Sequence, residues 1–271
     1  MKKIVDKSID ALTSIPVDEE YKQKIGKETG KALLTGAKAI NMALAPLALT
    51  VYGFDNIQSF LSKILLKKLN KVPDEDVVTP KVSVVAEAVD NLKYLDDSDR
   101  DLELKNMYAN LIANAMNKKM NTRIHASFSS IIKQLEPLDV NLLEYLKLKN
   151  KGIPYLSIFR NDDRYPGAGE VLCKYLINSD VMKEPKNIEL SINNLERLKL
   201  IDISDREWFG KESYEALKDN PLYGELTKDF NTIEKIADKY YAFLEHGRVT
   251  KGYINLSALG REFIAVCSEC E

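Results

Sequence analysis

The most constraining feature of the sequence is a helical spacing of apolar residues between positions 57 and 69. Positions i, i+3, i+4, i+7, i+8 and i+12 lie on one face of an α-helix, and that face has to be buried against another surface. The pattern therefore predicts a helix that packs onto a folded core. Its apolar residues are Ile57, Phe60, Leu61, Ile64, Leu65 and Leu69.

Lysines fill the C-terminal half of the same helix, where cations also complement the helix dipole. A basic amphipathic helix either contacts a membrane or a partner, or faces the core of its own domain. The pattern favours the core, and it leaves the lysines as candidate contacts with a membrane surface or a partner. These candidates are Lys63, Lys67, Lys68 and Lys71.

Residues 39–54 form the most apolar stretch and include no charged side chain. A helix needs about 20 apolar residues to cross a bilayer core, and this stretch has about 16. Pro46 interrupts it and Asp55 ends it, so a buried helical hairpin is favoured over a transmembrane helix. Residues 1–36 have a helical pattern with a break before Pro16.

The composition points to an intracellular globular protein. A net charge of −2 gives no general attraction to nucleic acid. Three cysteines are too few for a disulfide framework, and they fit a reducing compartment. Charged residues occupy the N-terminus where a signal peptide would need an apolar core. We expect a cytoplasmic protein, with peripheral binding at the inner membrane face left open.

Short helical patterns with turn signals follow one another through the middle of the chain. Thr79 is placed to cap a helix that begins at Pro80, and Ser98 precedes another with acids in its first turn. A third pattern covers about 125–135, and Pro137 begins a fourth. The middle of the chain is therefore predicted to be a helical bundle.

Three motifs in this region resemble the abortive infection alpha family. They are LELKNMYANLIANAMN at 102–117, IHASF at 124–128 and IIKQLEPL at 131–138. The family pattern has proline where this chain has Ala126, and serine where it has Glu136. The resemblance is strongest over residues 79–150. It implies a bacterial phage-resistance protein whose action halts or kills the infected cell, and it transfers no catalytic residue.

The C-terminal region has the pattern of a winged helix. A short strand is predicted at 153–159 and helices at 170–178 and 188–200, the second leading into a first wing strand. Gly252 would begin the second wing strand, and Ser257 would cap a final helix. An insertion at about 205–250 contains a predicted helix at 225–244, which is a candidate for self-association or partner contact.

The helix at 188–200 would be the reading helix of such a fold. Arg, Lys, Asn and Gln are the side chains that contact base edges and phosphates. The helix offers few of them, opposed by Glu189 and Glu196, so the sequence disfavours nucleic acid as the partner. The candidate nucleic-acid contacts are Asn193, Asn194, Arg197 and Lys199.

Patterns that could support catalysis or metal binding are sparse. Cys267 and Cys270 have the spacing of metal ligands, but a structural zinc site needs four ligands and no second pair exists. His125 and Ser127 could form a base and nucleophile, although a local turn at a helix start explains them better. We therefore expect no catalytic residues, no metal and no cofactor.

The sequence thus predicts a mainly α protein in three parts. These are an N-terminal helical region at 1–72, a central helical bundle at 73–136 and a winged-helix-like domain at 137–271 with a helical insertion in the wing. The favoured function is phage defence through binding a phage or host protein, with homo-oligomers left open. A winged-helix transcription regulator and a membrane-perturbing effector are the alternatives.

Overall fold

The fold comes from a computed structural model that describes residues 40, 43–44, 54–96, 98–161, 169–178, 185–228, 230 and 247–268. The chain divides into two compact units, Met1–Leu135 with Ala265–Glu271, and Glu136–Ile264. The helices predicted at 1–36, most of the apolar stretch at 39–54 and most of the helix predicted at 225–244 lie outside the described residues.

The described part of the first unit is helical. It contains α1 (Phe54–Leu69), α2 (Val82–Leu92), α3 (Asp99–Ala115) and α4 (Phe128–Ile132). Helices α1, α2 and α4 all pack against α3. Leu61, Leu65 and Leu69 are buried, which confirms the helix and the apolar face that the spacing predicted.

The start of α2 differs from its prediction. The helix begins at Val82 after Lys81, not at Pro80, and Thr79 does not cap it. The backbone just before it is held extended, because Val78 N–H bonds to Met116 O and Val77 pairs with Asn117. The extended conformation continues to Lys81, so the helix begins at Val82.

The second unit combines helices with one sheet. Its elements are α5 (Pro137–Lys149), β1 (Ile153–Asn161), β2 (Gly169–Leu176), α6 (Pro185–Arg197), β3 (Ile201–Ser204), α7 (Lys211–Glu215), α8 (Pro221–Thr227), β4 (Gly247–Leu256) and α9 (Ala258–Cys267). The strands form an antiparallel sheet in the order β2-β1-β4-β3. The residues of α9 from Ala265 onward belong to the first unit.

The winged-helix prediction is wrong. The segment predicted as a helix at 170–178 forms strand β2, which pairs with β1, and β1 pairs in turn with β4 from Ile153 opposite Ile254 to Arg160 opposite Gly247. The two expected wing strands do exist as β3 and β4, but they are one side of a larger sheet. The protein is mainly helical with a four-stranded antiparallel sheet in its second unit.

The central strand β1 is covered on both of its faces. Neighbouring residues of a strand point to opposite faces, and in β1 both Leu156 and Ser157 are buried. Leu156 lies in an apolar cluster that includes Tyr214 and Leu217 from the region of α7. On the described residues, α6 contacts β2 and β3. A strand enclosed in this way belongs to the core, so the sheet that it centres is not a projecting wing.

None of the described helices is both long enough and apolar enough to span a bilayer.

Candidate functional site

The Tyr-Ala-Asn motif of α3 is buried in the first unit. Asn110 is 3% exposed, and its side-chain amide donates to the carbonyl oxygen of Cys267 at 2.9 Å. One turn later, Asn114 donates to the carbonyl oxygen of Val266 at 2.7 Å. The last carbonyls of a helix have no partner within the helix, and these are the last two residues of α9. The two asparagines therefore cap the end of α9.

Tyr108 of the same motif takes part in a second set of buried contacts. Its hydroxyl donates to the carbonyl oxygen of Ser129 at 3.3 Å, and the amide of Asn91 lies 3.4 Å from the Ser129 hydroxyl. Burial raises the pKa of Tyr108 well above its ordinary value, so the phenol stays protonated. These residues hold α2, α3 and α4 together.

His125 and Ser127 lie at the turn that precedes α4. The Nδ1 atom of His125 is 2.8 Å from the Ser127 hydroxyl and 3.2 Å from the Ser127 backbone nitrogen. Because a backbone N–H can only donate, Nδ1 accepts both bonds, and the hydroxyl is a donor to it. The histidine is exposed, and this arrangement is a turn at a helix start.

The described cysteines are buried thiols. Burial raises the pKa of Cys173 to about 11 and that of Cys267 well above its ordinary value. Cys270 lies outside the described residues. Among the residues that the structure describes, no three His, Cys, Asp or Glu side chains lie close enough together to hold a metal ion.

The candidate lysines of the first unit lie on or just after α1. Lys63, Lys67 and Lys71 are exposed, spaced four residues apart, while Lys68 is half-buried. The apolar face of α1 is buried inside the unit, as Leu65 shows. This helix therefore presents its charge to solvent and keeps its apolar face inside.

The candidate nucleic-acid contacts lie at α6, and two of them bond within the second unit. Asn194 donates to Asp139 at 2.8 Å, and Arg197 donates to Asn194 at 2.7 Å. Asn193 and Lys199 are exposed. These contacts stay a prediction, and the winged helix that motivated them is absent.

Asp139 is the centre of that network and is 2% exposed. One carboxylate oxygen accepts from the Ser191 hydroxyl at 2.5 Å. The other accepts from Asn194 and from the backbone N–H of Glu136, at 2.9 Å. The carboxylate thereby caps α5 and fastens it to α6. All three partners are groups of the same unit, so these contacts stabilise the structure.

A concave site opens beside the C-terminal end of α5 in the second unit. The cavity has a volume of about 320 Å³. Its lining residues include Tyr145, Lys149 and Lys151 from the region of α5, together with Phe209 and Ser213. Sequence reasoning did not find it, because its described lining residues come from three separate stretches of the chain with no shared motif.

An exposed aromatic pair forms a second surface feature of the same unit. Trp208, the only tryptophan of the sequence, is 70% exposed, and its ring lies 5.9 Å from that of Tyr253. Its backbone N–H donates to the hydroxyl of the buried Tyr214 at 3.1 Å. Glu207 and Lys251 form an ion pair at 3.2 Å beside it. We call Trp208, Tyr253, Glu207 and Lys251 the Trp208 surface.

Comparison with known proteins places this fold in a family. No curated protein and no solved structure matches the chain. A family model described as abortive infection alpha matches residues 55–267. This match spans most of the chain and indicates a role in abortive infection, a form of phage defence. The chain belongs to the abortive infection alpha family.

Proposed function

We infer that the chain defends its host against phage by binding a phage or host protein, and not by catalysing a reaction. The observation that supports this most strongly is the exposure of Trp208. Trp, Tyr and Arg dominate the binding energy of protein interfaces, and a tryptophan left in water loses the burial that normally stabilises it. A partner that covers this ring would restore that burial.

The surroundings of Trp208 suit a protein partner. The backbone N–H of Trp208 donates to the Tyr214 hydroxyl, which fixes the backbone at this position. The indole ring lies 5.9 Å from the ring of Tyr253. A prearranged aromatic side chain loses little conformational freedom on binding. The nearby Glu207–Lys251 pair supplies the charged rim that surrounds the apolar centre of most interfaces.

The family motifs also favour binding over catalysis. Asn110, Asn114 and Tyr108 direct their polar groups to backbone carbonyls within the fold. A catalytic group has to reach substrate, so groups committed to such contacts are poor candidates for chemistry. His125, which is exposed, uses Nδ1 to stabilise a turn.

A phage challenge tests this proposal. Bacteria that produce the chain are infected with a panel of phages, and plaque counts are compared with those of an empty-vector strain. We expect protection against at least one phage and its loss in the Trp208→Ala variant. Tyr94→Ala is the matched control, since Tyr94 is another exposed aromatic residue, 68% exposed. Equal protection by the wild type and Trp208→Ala would refute the role of this surface.

A second candidate is adsorption to an anionic membrane, favoured by the exposed row of Lys63, Lys67 and Lys71. Each lysine close to an anionic surface adds about 1 kcal/mol of attraction. Because Leu61 and Leu65 are buried in the unit, α1 would bind by charge and not by insertion. Under this proposal the chain acts in the cytoplasm, at the inner face of the membrane.

Vesicle flotation tests the second candidate. Vesicles of phosphatidylglycerol and phosphatidylethanolamine should float the wild-type protein at low salt and release it at high salt. The Lys63/Lys67/Lys71→Glu variant should stay in the soluble fraction. A control with the same change of charge should still float, and it replaces three other exposed lysines of this unit: Lys81, Lys118 and Lys133. Wild-type protein that never floats rules the candidate out.

A further inference from the structure

The cavity beside α5 is lined by both basic and apolar residues. Lys149 and Lys151 line it, and no acidic residue is among the lining residues that the structure describes. The Lys149 ammonium lies 5.4 Å from the centre of the Tyr145 ring, so the charge and the aromatic ring lie next to each other. Two ammonium groups without a carboxylate in the same wall favour an anion.

The rest of the wall can contact a flat ring. Tyr145 and Phe209 are aromatic, and Ile153, Pro154 and Leu217 add apolar surface. The hydroxyl of Ser213 is a further hydrogen-bonding group in this wall. An apolar cavity with a few polar groups is the usual form of a small-molecule site, and about 320 Å³ is at the lower end of the range for such sites.

The backbone of the wall is fixed before any ligand arrives. Gly152 has φ +84°, and a side chain there would lie 2.5 Å from the carbonyl oxygen of Ile254. Only glycine fits this position, because the backbone of β4 leaves no room for a side chain in the turn between Lys151 and Ile153. The Tyr145 hydroxyl donates to the carbonyl oxygen of Asn178 at 2.5 Å, which orients its ring. Fixed walls reduce the entropy lost on binding.

We propose that this cavity binds a small anion built on a flat ring, with a nucleoside monophosphate as the representative ligand. The phosphate would lie against Lys149 and Lys151, and the base against Tyr145 and Phe209. Lysines bind phosphate as point charges, whereas aromatic rings stack on any base. The site should therefore select for the combination of charge and ring more than for one base.

The test is calorimetry and thermal unfolding of the full chain with AMP, GMP, CMP, UMP and benzoate. Adenosine and inorganic phosphate serve as the two halves of AMP. We expect at least one ring-bearing anion to bind and to raise the melting temperature, more tightly than either half. Because charged contacts dominate, the affinity should fall as salt is added.

Two variants assign the binding to this cavity. Lys149→Glu with Lys151→Glu should weaken binding by roughly tenfold or more, since it replaces two charge-assisted contacts with the phosphate by repulsion. Ala216→Phe should block the cavity without changing its charge, because Ala216 is another lining residue. Lys186→Glu with Lys228→Glu makes the same change of charge at exposed positions outside the cavity and should bind as the wild type does.

Three results would overturn the proposal. No binding by any of the five ring-bearing anions overturns the proposal, and so does binding that both variants leave unchanged. Binding by adenosine as tight as by AMP would also overturn it, because the lysines would then have no role. Trp208→Ala should keep the AMP affinity of the wild type, so the result is independent of the protein-binding proposal.

Discussion

The side-chain amide of Asn110 donates to the carbonyl oxygen of Cys267 at 2.9 Å, although 157 positions separate the two residues. The bond joins the central family motif to the end of the last described helix, within one compact unit. A central stretch and a C-terminal stretch of the chain therefore fold as one body. The family model, which matches residues 55–267, includes both stretches.

Asn110→Ala should destabilise the protein by about 1–3 kcal/mol. The substitution leaves the carbonyl oxygen of Cys267 buried without its partner, and that is the cost of an unsatisfied buried acceptor. Urea denaturation measures the change in the free energy of unfolding. Asn193→Ala is the control, because Asn193 is exposed on α6 and should change stability by less than about 0.5 kcal/mol. Equal effects at the two positions would contradict the capping role.

Asp139→Ala should cost more than about 2 kcal/mol. It removes a buried carboxylate that accepts from Ser191, Asn194 and the Glu136 backbone, so three hydrogen bonds between α5 and its surroundings are lost. Thermal unfolding followed by circular dichroism checks this. Asp202→Ala removes an exposed carboxylate from the same unit and should have little effect. A small loss of stability in Asp139→Ala would contradict this prediction and would mean that water replaces the carboxylate as acceptor.

Gly252→Ala should destabilise the sheet strongly, whereas Gly224→Ala should not. A side-chain carbon at Gly252 would overlap the ring of Tyr155 and the carbonyl oxygen of Ser204. At Gly224, in the middle of α8, such a carbon meets nothing within 4 Å. Alanine there should stabilise the helix by roughly 0.5–1 kcal/mol. The two changes in denaturation midpoint should therefore have opposite signs, and a shared sign would refute the packing described for β4.

Cys173 should resist thiol reagents in the folded protein. Burial raises its pKa from 9.0 to about 11, and the thiolate is the reactive form. Because the folded pKa lies above the unfolded one, the neutral thiol contributes stability that is present below pH 9 and is lost as the pH rises through about 11. Peptide mass spectrometry after iodoacetamide treatment should find Cys173 and Cys267 modified only in denaturant. Modification of the native protein at neutral pH would contradict their burial.

The local patterns predicted the helices well. Helices α1, α3 and α5 appear where apolar spacing and turn signals placed them, and Ser257 caps α9 through a hydrogen bond from Gly260 at 2.9 Å. These features depend on residues that are close in sequence. Local propensity and capping are therefore enough to find them.

The sheet could not be predicted in the same way. The run from Val171 to Leu176 is nearly continuous in apolar residues, and such a run fits a buried strand as well as a helix. Its pairing with β1 decides the outcome, as Ile158 opposite Cys173 illustrates. The cavity and the Trp208 surface also bring together residues that are far apart in sequence, as Trp208 and Tyr253 illustrate, so no local pattern indicated them.

We propose that this protein acts in phage defence by recognition and not by a reaction. A phage challenge of His125→Ala beside Trp208→Ala tests it most directly, with protein levels matched by immunoblot. The account predicts that His125→Ala protects as well as the wild type and that Trp208→Ala does not. Lost protection in His125→Ala together with full protection in Trp208→Ala would contradict it.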